Sequence, residues 1–351
     1  MIRIALIPGD GIGPEVVREG RRVIEAAVRA GLVEVTMEEF PHGADHLLST
    51  GETLSDETFA RLRDEFDAIL LGAVGDPRVP DNRHARDILL GLRFRLDLFI
   101  NFRPATVRLA ELSPLRDAEH RPLDIEVFRE NTEGFYTGSG GFLRQGTPHE
   151  VAISESFATR YGVERIVRAA FEHARTRGRP RVTLADKANA VPHVYGLWRR
   201  VFQEVAEEYP DVESDARYVD ALAMQLVRVP EQFSVIVTEN LLGDILSDLA
   251  AELAGGMGLA PSANLNPGRH ALYEPVHGSA PDIVGTGTAN PVATILSVAL
   301  LFEHAGAEAA ARRVEEAVDA SLAAGIRTPD VGGTATTSEA GIWIADHVAR
   351  G

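Results

Sequence analysis

Cysteine is missing from this chain, which excludes disulfides, thiol catalysis, iron–sulfur clusters and cysteine-ligated zinc sites. Such a chain suits a reducing compartment, so we expect a cytoplasmic protein. Long apolar runs are also missing, since none approaches the length that spans a bilayer. Residues 1–7 are too short and end in the wrong residue types for a signal peptide. We therefore expect no membrane partner.

Positive charge is scarce as well. The chain has 35 basic side chains against 52 acidic ones, which gives a formal net charge of -17. Such a balance argues against nucleic acid or an anionic membrane as a partner. Small anionic substrates remain possible where arginines are clustered locally. With 351 residues, of which 45% are hydrophobic, the chain is long enough for two domains.

Short apolar runs alternate with helix-period patterns along the whole chain. This repetition predicts a mainly parallel, doubly wound α/β sheet. No low-complexity linker separates the elements, which favours two domains that share one continuous sheet. The predicted strands cover residues 2–7, 33–40, 68–71, 124–128, 181–184 and 234–237, and the longer helices residues 15–30, 56–66, 158–176, 195–208, 290–304, 308–323 and 338–350.

Glycines at positions 9, 11 and 13 follow the first predicted strand and suggest a dinucleotide-binding turn. Their spacing, G-x-G-x-G-P, lacks the third glycine of the dinucleotide fingerprint, and Pro14 stands at the start of the helix. We interpret the segment as a tight turn with a proline in the first helical turn, and we expect no pyrophosphate there.

Two aspartates lie on the helix that follows the apolar strand 234–237. Asp244 and Asp248 are four residues apart, so both carboxylates leave one face of that helix. Paired carboxylates suit a hard cation such as Mg²⁺ or Mn²⁺. An exposed acidic helix start, which the helix dipole favours, is the alternative that these residues leave open.

Three arginines, Arg93, Arg103 and Arg129, each stand near the end of a predicted element. A guanidinium binds a carboxylate through two parallel hydrogen bonds, so three of them indicate a substrate with more than one carboxylate. For any one of them, a structural ion pair in this acidic protein is the alternative.

Three further polar residues have chemistry that fits the same site. Lys187 directly follows a strand and can serve as a base near a cation, or it can be an exposed lysine. Tyr136 can donate a proton, or it can be a core tyrosine. Asp220 is a third possible metal ligand, or a helix cap. Together these residues suggest metal-assisted oxidation of a 2-hydroxy acid, followed by loss of the carboxylate on C3 as CO₂.

Two motifs carry a resemblance to a known family. Residues 242–249 read LGDILSDL, and residues 274–282 read EPVHGSAPD. With these motifs the chain resembles, over essentially its whole length, the isocitrate/isopropylmalate dehydrogenases, which are metal-dependent β-decarboxylating dehydrogenases. The resemblance implies two α/β domains that share a mixed, mainly parallel sheet and are not a Rossmann fold. It places a nucleotide-binding domain at residues 1–98 plus 256–351, and a substrate, metal and dimerisation domain at 99–255 with an arm near 137–157.

The resemblance also implies a role for each candidate residue. NAD is the implied cofactor, Mg²⁺ or Mn²⁺ the metal, and a homodimer the assembly, because Asp220 and Lys187 come from the neighbouring subunit. The implied roles are metal binding by Asp220, Asp244 and Asp248, substrate binding by Leu90, Arg93, Arg103 and Arg129, proton transfer by Lys187 as base and Tyr136 as acid, and nucleotide binding by His277, Gly278, Ser279, Ala280, Asp282 and Asn290.

The chain departs from isopropylmalate enzymes at two places. Arg86 stands where those enzymes carry a glutamate near the nicotinamide ribose, and residues 130–134 read ENTEG, as in the D-malate/tartrate and homoisocitrate branches. Leu89 and Leu90 predict an apolar wall for the C3 substituent, which cannot satisfy a third buried carboxylate. We expect D-malate, tartrate or 3-isopropylmalate as substrate, with homoisocitrate or isocitrate as the alternative.

Two other classes of function compete with this hypothesis. A metal-dependent hydrolase or phosphatase could use the aspartates without a nicotinamide, but the three arginines and the 277–282 loop would then have no role. A catalytically silent, dimeric binding protein should lack one of the acid, base or ligand residues, and none is missing from this sequence.

Overall fold

The computed structural model describes residues 1–121 and 123–350 and divides the chain into two compact units. The first unit comprises Met1–Leu98, Thr106–Glu119 and Ala251–Gly351, and the second comprises Phe99–Ala105 and His120–Ala250. Each unit is built on a mainly parallel β-sheet with helices between the strands, so the predicted α/β fold is confirmed.

The strands are, in chain order, β1 Ile2–Gly9, β2 Val35–Glu39, β3 Ala68–Ala73, β4 Ile100–Thr106, β5 Asp124–Glu130, β6 Gly140–Leu143, β7 Val151–Ser154, β8 Arg181–Asp186, β9 Glu213–Tyr218, β10 Val235–Thr238, β11 Pro261–Asn266 and β12 His270–Pro275. The helices are α1 Gly13–Arg29, α2 Ala44–Thr50, α3 Asp56–Asp64, α4 Arg83–Ala85, α5 Gly91–Arg95, α6 Arg160–Arg177, α7 Pro192–Ala206, α8 Val219–Arg228, α9 Asn240–Ala254, α10 Val292–His304, α11 Glu308–Ala323 and α12 Thr337–Arg350. A π-helical turn, Arg86–Leu90, joins α4 to α5. No helix among the described residues is long and apolar enough to cross a membrane.

The sheet of the first unit has the strand order β2-β1-β3-β12-β11. Its strands are parallel except for β11, which runs antiparallel to β12. The continuous apolar strands β1 and β3 lie in the core, as expected for parallel strands covered on both faces. Helix α10 packs against β11 and β12 and is buried along almost its whole length, which explains why its sequence is apolar all round.

The sheet of the second unit has the order β4-β5-β10-β8-β9, and the pairs β5–β10, β10–β8 and β8–β9 are parallel. Helix α6 packs on this sheet and against α7. Strands β6 and β7 form a separate antiparallel hairpin with exposed side chains, within the segment predicted as an arm. The carboxyl ends of β5, β8 and β10 deliver the polar residues described below.

The sequence did not predict helix α2 or the strands β9, β11 and β12. Strand β9 is polar and mostly exposed at the edge of its sheet, so it lacks an apolar alternation. Strand β11 begins with a proline and buries Ser262 and Asn264, two residue types that normally indicate a loop. The EPVHGSAPD motif, residues 274–282, therefore begins inside a strand, because Glu274 and Pro275 belong to β12.

Candidate active site

Helix α9 presents the two aspartates that the sequence singled out. Glu239 stands immediately before this helix, and its carboxylate accepts hydrogen bonds from the backbone N–H groups of Leu241 at 2.9 Å and Leu242 at 2.8 Å. This buried glutamate satisfies two donors that would otherwise lack partners at the helix start. Asp244 and Asp248 follow on one face of the fixed helix, both half-buried.

Two of the three predicted arginines lie beside these aspartates. Arg103 Nη1 lies 3.0 Å from Asp248 Oδ1 and 3.3 Å from Asp244 Oδ1. Arg129 Nη1 lies 2.5 Å from Asp244 Oδ1, and its Nε and Nη2 donate to Asn240 Oδ1 at 3.0 Å and 2.8 Å. Both arginines are buried, so each carboxylate faces a poorly hydrated cation. Burial nevertheless raises the pKa of Asp248, against the opposing charge of Arg103.

Gly243 makes the approach of Arg129 possible. A Cβ at this position would come within 2.6 Å of Arg129 Cγ and 2.7 Å of its Cβ. Any larger residue would therefore push the arginine stem away from helix α9. The glycine in the LGD part of the motif is needed because Arg129, 114 residues earlier in the chain, packs against it.

Tyr136 belongs to the same cluster. Its hydroxyl donates to Asp244 Oδ2 at 2.8 Å, and the Arg129 guanidinium carbon lies 5.3 Å from the ring centre. Burial and the adjacent Asp244 carboxylate raise the pKa of Tyr136, so the phenol stays protonated. The alternative of a core tyrosine does not apply, because the hydroxyl points at a proposed metal ligand and not into the core.

The ENTEG segment has a structural role. Glu133 accepts from Thr159 N at 2.8 Å and from its hydroxyl at 2.5 Å, so it ties the start of α6 to this segment. Glu130 is buried, and its carboxylate accepts from the N–H groups of Thr132 and Glu133. Glu133 therefore holds the start of α6 in this chain, a structural role that the sequence did not predict.

Lys187 and Asp220 form a second cluster in the same unit. Lys187 follows β8, Asp220 lies in the first turn of α8, and Lys187 Nζ is 2.9 Å from Asp220 Oδ1. The lysine holds the pKa of the exposed Asp220 below its usual value. Among the described residues, no three His, Asp or Glu side chains come close enough to hold a metal ion. Asp220 is thus grouped with Lys187 and not with the pair on α9.

The amino-acid composition also singles out Lys187, although no prediction used it. Lys187 is the only lysine among the 35 basic residues of the chain. Arginine cannot lose its proton in a protein, whereas a lysine can become a neutral amine. Since the other basic residues of the chain are all arginines, the lysine at this position indicates a requirement for an amine.

Arg93 is positioned within the first unit. Its Nη2 donates to Glu274 Oε1 at 2.8 Å, and the same oxygen accepts from Asn264 Nδ2 at 2.8 Å. Arg93 is only 5% exposed, and its Nε has no hydrogen-bond partner among the described residues. No role was predicted for the side chains of Glu274 and Asn264, because the strand pair β11–β12 that carries them was not predicted.

The two predicted wall leucines differ. Leu89 is half-buried and packs against the hydrophobic core cluster that includes Leu92 and Leu96. Leu90, at the end of the π-helical turn, is only half-buried and does not belong to that cluster. Arg86 at the start of the turn is largely exposed, with Asp87 Oδ1 at 3.9 Å from its Nε.

The predicted nucleotide loop packs on the first glycine turn. Ile12 N donates to Ser279 O at 2.9 Å, and Gly11, with φ of 59°, lies so close that a Cβ would be 2.0 Å from that oxygen. Burial lowers the pKa of His277, and its buried Nε2 has no hydrogen-bond partner in the part of the chain that the structure describes. Asp282 is exposed, whereas Gly278, Ser279 and Ala280 line the intervening turn.

Asn290 has two contacts with the fold. Its Nδ2 donates to Asp330 Oδ2 at 2.9 Å, and its Oδ1 accepts from Val292 N at 3.0 Å, at the start of α10. Both ends of this side chain thus have partners within the first unit. Gly11 and Ile12 were missed as supports of the nucleotide loop, because they were judged on motif spacing alone.

Comparison with protein families matches residues 3–344 to isocitrate/isopropylmalate dehydrogenase. The chain belongs to this family. A relative from Streptomyces avermitilis, named 3-isopropylmalate dehydrogenase, is 48% identical over 350 residues, covering 99% of each chain. One of the same name from Frankia casuarinae is 51% identical over 324 residues, covering 92% of this chain and 93% of its own. A crystal structure of isocitrate dehydrogenase from Methylococcus capsulatus matches with a TM-score of 0.91 and 40% identity, with full coverage of both chains.

This membership confirms the resemblance and the class of reaction predicted from the sequence. The chain is a dehydrogenase of the β-decarboxylating type that acts on a CH–OH group. The hydrolase alternative is set aside, since it would leave the arginines without a function.

Proposed function

We propose that the chain catalyses the NAD-dependent, Mg²⁺- or Mn²⁺-dependent oxidative decarboxylation of a (2R)-malate-type acid, with 3-isopropylmalate as the preferred substrate. The observation that carries this proposal is the cluster of Arg103, Arg129, Tyr136 and the two α9 aspartates. It provides carboxylate binding, cation binding and a proton donor together. The 48–51% identity to relatives named 3-isopropylmalate dehydrogenase supports the choice of substrate.

The donor set fits a hard divalent cation. Asp244 and Asp248 offer only oxygen ligands, and their half-buried carboxylates keep access to solvent. We propose that they hold the cation together with Asp220 from a second copy of the chain. When bound, the cation would polarise the C2 hydroxyl and carboxylate of the substrate and stabilise negative charge during decarboxylation.

The remaining chemistry falls to residues of this chain. Arg93, Arg103 and Arg129 are proposed to bind the substrate carboxylates, since guanidinium groups match them geometrically. Lys187 would accept the proton of the C2 hydroxyl while the C2 hydride passes to NAD. The C3 carboxylate then leaves as CO₂, and Tyr136 would donate a proton to C3. The raised pKa of Tyr136 supports its role as donor.

We propose that NAD binds the loop from His277 to Asp282, with Asn290 nearby, and that the first unit is the nucleotide-binding domain. The contact of Ile12 with Ser279 holds this loop against the first glycine turn. The exposed Asp282 would accept hydrogen bonds from ribose hydroxyls and repel a 2′-phosphate. The cofactor is an intracellular molecule, so we place the enzyme in the cytoplasm.

We also propose that the chain forms a homodimer. The β6–β7 hairpin exposes the large apolar side chains Phe142 and Leu143, and helices α8 and α9 expose Met224 at 62% and Ile245 at 58%. Apolar groups of this size on a surface favour a protein partner. A second copy of the chain is the partner that would also bring Lys187 and Asp220 to the acids of the opposite chain.

The proposed substrate follows from the residues expected to face its C3 substituent. Leu90 is an apolar side chain available to a C3 alkyl group, and the relatives named 3-isopropylmalate dehydrogenase favour an isopropyl group over hydrogen or hydroxyl at C3. Homoisocitrate or isocitrate would place a third carboxylate against this wall, and Arg86, in the same π-helical turn as Leu90, is one cation that could receive it.

A panel of 3-substituted malates, assayed with NAD and Mn²⁺, tests this choice. We expect kcat/KM to be highest for 3-isopropylmalate, with D-malate and tartrate about 100-fold or more lower, because each carbon of the isopropyl group is worth about 1–3 kcal/mol. A higher kcat/KM for homoisocitrate or isocitrate would refute it. In that case Arg86→Ala would show whether Arg86 is the reason.

A further inference from the structure

The strand that ends before Lys187 carries a wholly buried carboxylate. Asp186 is 0% exposed, although it is the last residue of β8 and adjoins the only lysine of the chain. A charge in this position needs partners, because an unpaired buried carboxylate is strongly unfavourable. The proposed chemistry gives Asp186 no role.

Asp186 fixes the turn that presents Lys187. Its Oδ1 accepts from Ala188 N at 2.7 Å, two residues ahead, which is an Asx-turn around Lys187. The carbonyl of Lys187 in turn accepts from Ala190 N at 3.0 Å and Val191 N at 2.9 Å, just before α7. The backbone of Lys187 is therefore held on both sides.

Arg199 links this turn to the segment that carries Asp220. Its Nε donates to Asp186 Oδ2 at 2.7 Å, and its guanidinium carbon lies 4.7 Å from the ring centre of Tyr218. Tyr218 pairs with Asp186 across the β8–β9 ladder and immediately precedes α8. The planar guanidinium suits both contacts at once, which a lysine could not make.

We propose that Asp186 and Arg199 are positioning residues, which with Tyr218 hold Lys187 and Asp220 in one fixed arrangement. Lys187 Nζ and Asp220 Oδ1 lie 2.9 Å apart although they come from different elements. Arg199 on α7 joins those elements, because it contacts both Asp186 before Lys187 and Tyr218 before α8. A base and a metal ligand that serve the same substrate need this relative placement. The proposal rests on the roles given above to Lys187 and Asp220.

The test compares Asp186→Ala, Asp186→Asn and Arg199→Met with Arg200→Met as a matched control. Arg200 is the next residue of α7 and is exposed, so its loss removes the same charge without touching Asp186. We expect Asp186→Ala and Arg199→Met to lower kcat and weaken Mn²⁺ binding by about 10-fold to 100-fold, the usual range for groups behind a metal ligand. Asp186→Asn keeps an acceptor for Ala188 N, so its kcat and its Mn²⁺ affinity should fall less. Arg200→Met should match the wild type.

Two readouts are independent of turnover. Mn²⁺ binding is measured from the electron paramagnetic resonance signal of the free ion. In addition, protein labelled with ¹⁵N-lysine gives one lysine backbone amide signal, because the chain has a single lysine. Asp186→Ala and Arg199→Met should shift or broaden that signal, whereas Arg200→Met should leave it in place.

Arg199→Met leaves a buried carboxylate unpaired and can fail to fold, so the charge-neutral double variant D186N/R199M is made alongside it. If folded D186A and the double variant keep kcat and Mn²⁺ affinity within about twofold of the wild type, the proposal is wrong. An equal loss in Arg200→Met would also overturn it. A wild-type protein that forms no NADH with any malate would instead defeat the proposed function, and the binding and resonance measurements would still decide this proposal.

Discussion

Arg103 donates to Asp248 at 3.0 Å, so an arginine proposed to bind the substrate neutralises a carboxylate proposed to bind the metal. Arg129 does the same for Asp244 at 2.5 Å. A cation arriving alone would have to displace these arginines, and a dicarboxylate arriving alone would have to displace the aspartates. When both bind, each arginine exchanges an aspartate for a substrate carboxylate, and each aspartate exchanges an arginine for the metal ion.

Metal and substrate should therefore bind cooperatively. We expect 3-isopropylmalate to tighten Mn²⁺ binding by about 10-fold or more, within the usual 1–3 kcal/mol of coupling between ligands. Calorimetry of Mn²⁺ binding, with and without the acid and without NAD, measures this coupling. Arg103→Met should abolish most of it while leaving a folded protein. Equal Mn²⁺ affinity in both conditions would show that the ion pairs do not link the two ligands.

The active site should be shared between two chains. Asp244→Asn and Asp220→Asn should each abolish turnover, with little effect on stability, since exposed or half-buried polar substitutions cost little. Mixing the two inactive proteins should restore up to about a quarter of the wild-type activity per site, the share expected of hybrid dimers that contain one intact site. The check is NADH formation after subunit exchange has been confirmed by mass spectrometry. No recovery would count against the shared site.

Tyr136 should act after decarboxylation. Tyr136→Phe keeps the ring against Arg129 but removes the hydroxyl that contacts Asp244. We expect kcat to fall by about 100-fold, the typical contribution of a general acid, with KM for the acid nearly unchanged. In D₂O the wild type should add deuterium to C3 on one face, and the variant should lose this selectivity. A change in KM alone would mean that Tyr136 serves binding.

The cofactor should be NAD and not NADP. The exposed carboxylate of Asp282 is proposed to repel a 2′-phosphate, so kcat/KM with NAD should exceed that with NADP by about 100-fold or more. Asp282→Asn should narrow this ratio mainly by improving NADP. Steady-state assays with both cofactors measure it, and similar values for the wild type would contradict the role of Asp282.

The sequence predicted the fold class and many elements, because apolar strands and amphipathic helices leave local patterns. Helix α11 begins and ends at the predicted residues, and α10 and α12 differ by a few residues at one end. The strands β9 and β11 were missed, because a polar edge strand and a strand that buries Ser262 and Asn264 have no such pattern. Their existence depends on pairing with partners elsewhere in the chain.

In the candidate site, too, only the features with a local sequence pattern could be predicted. Asp244 and Asp248 could be grouped from their helical spacing, whereas the contacts of Arg93 with Glu274 and of Asp186 with Arg199 join elements that no spacing relates. The contact of Glu133 could not be predicted, because its partner, Thr159, lies 26 residues further along the chain. The single lysine is the exception, since its signal lies in composition and needs no structure.

The most direct test of the whole account is the stoichiometry of the reaction with 3-isopropylmalate, NAD and Mn²⁺. Purified wild-type protein should release NADH and CO₂ in equal amounts. Lys187→Arg, which keeps the positive charge but cannot supply a neutral amine, should lower kcat by about 100-fold or more. Formation of NADH without CO₂, full activity of Lys187→Arg, or no NADH at all would contradict the account.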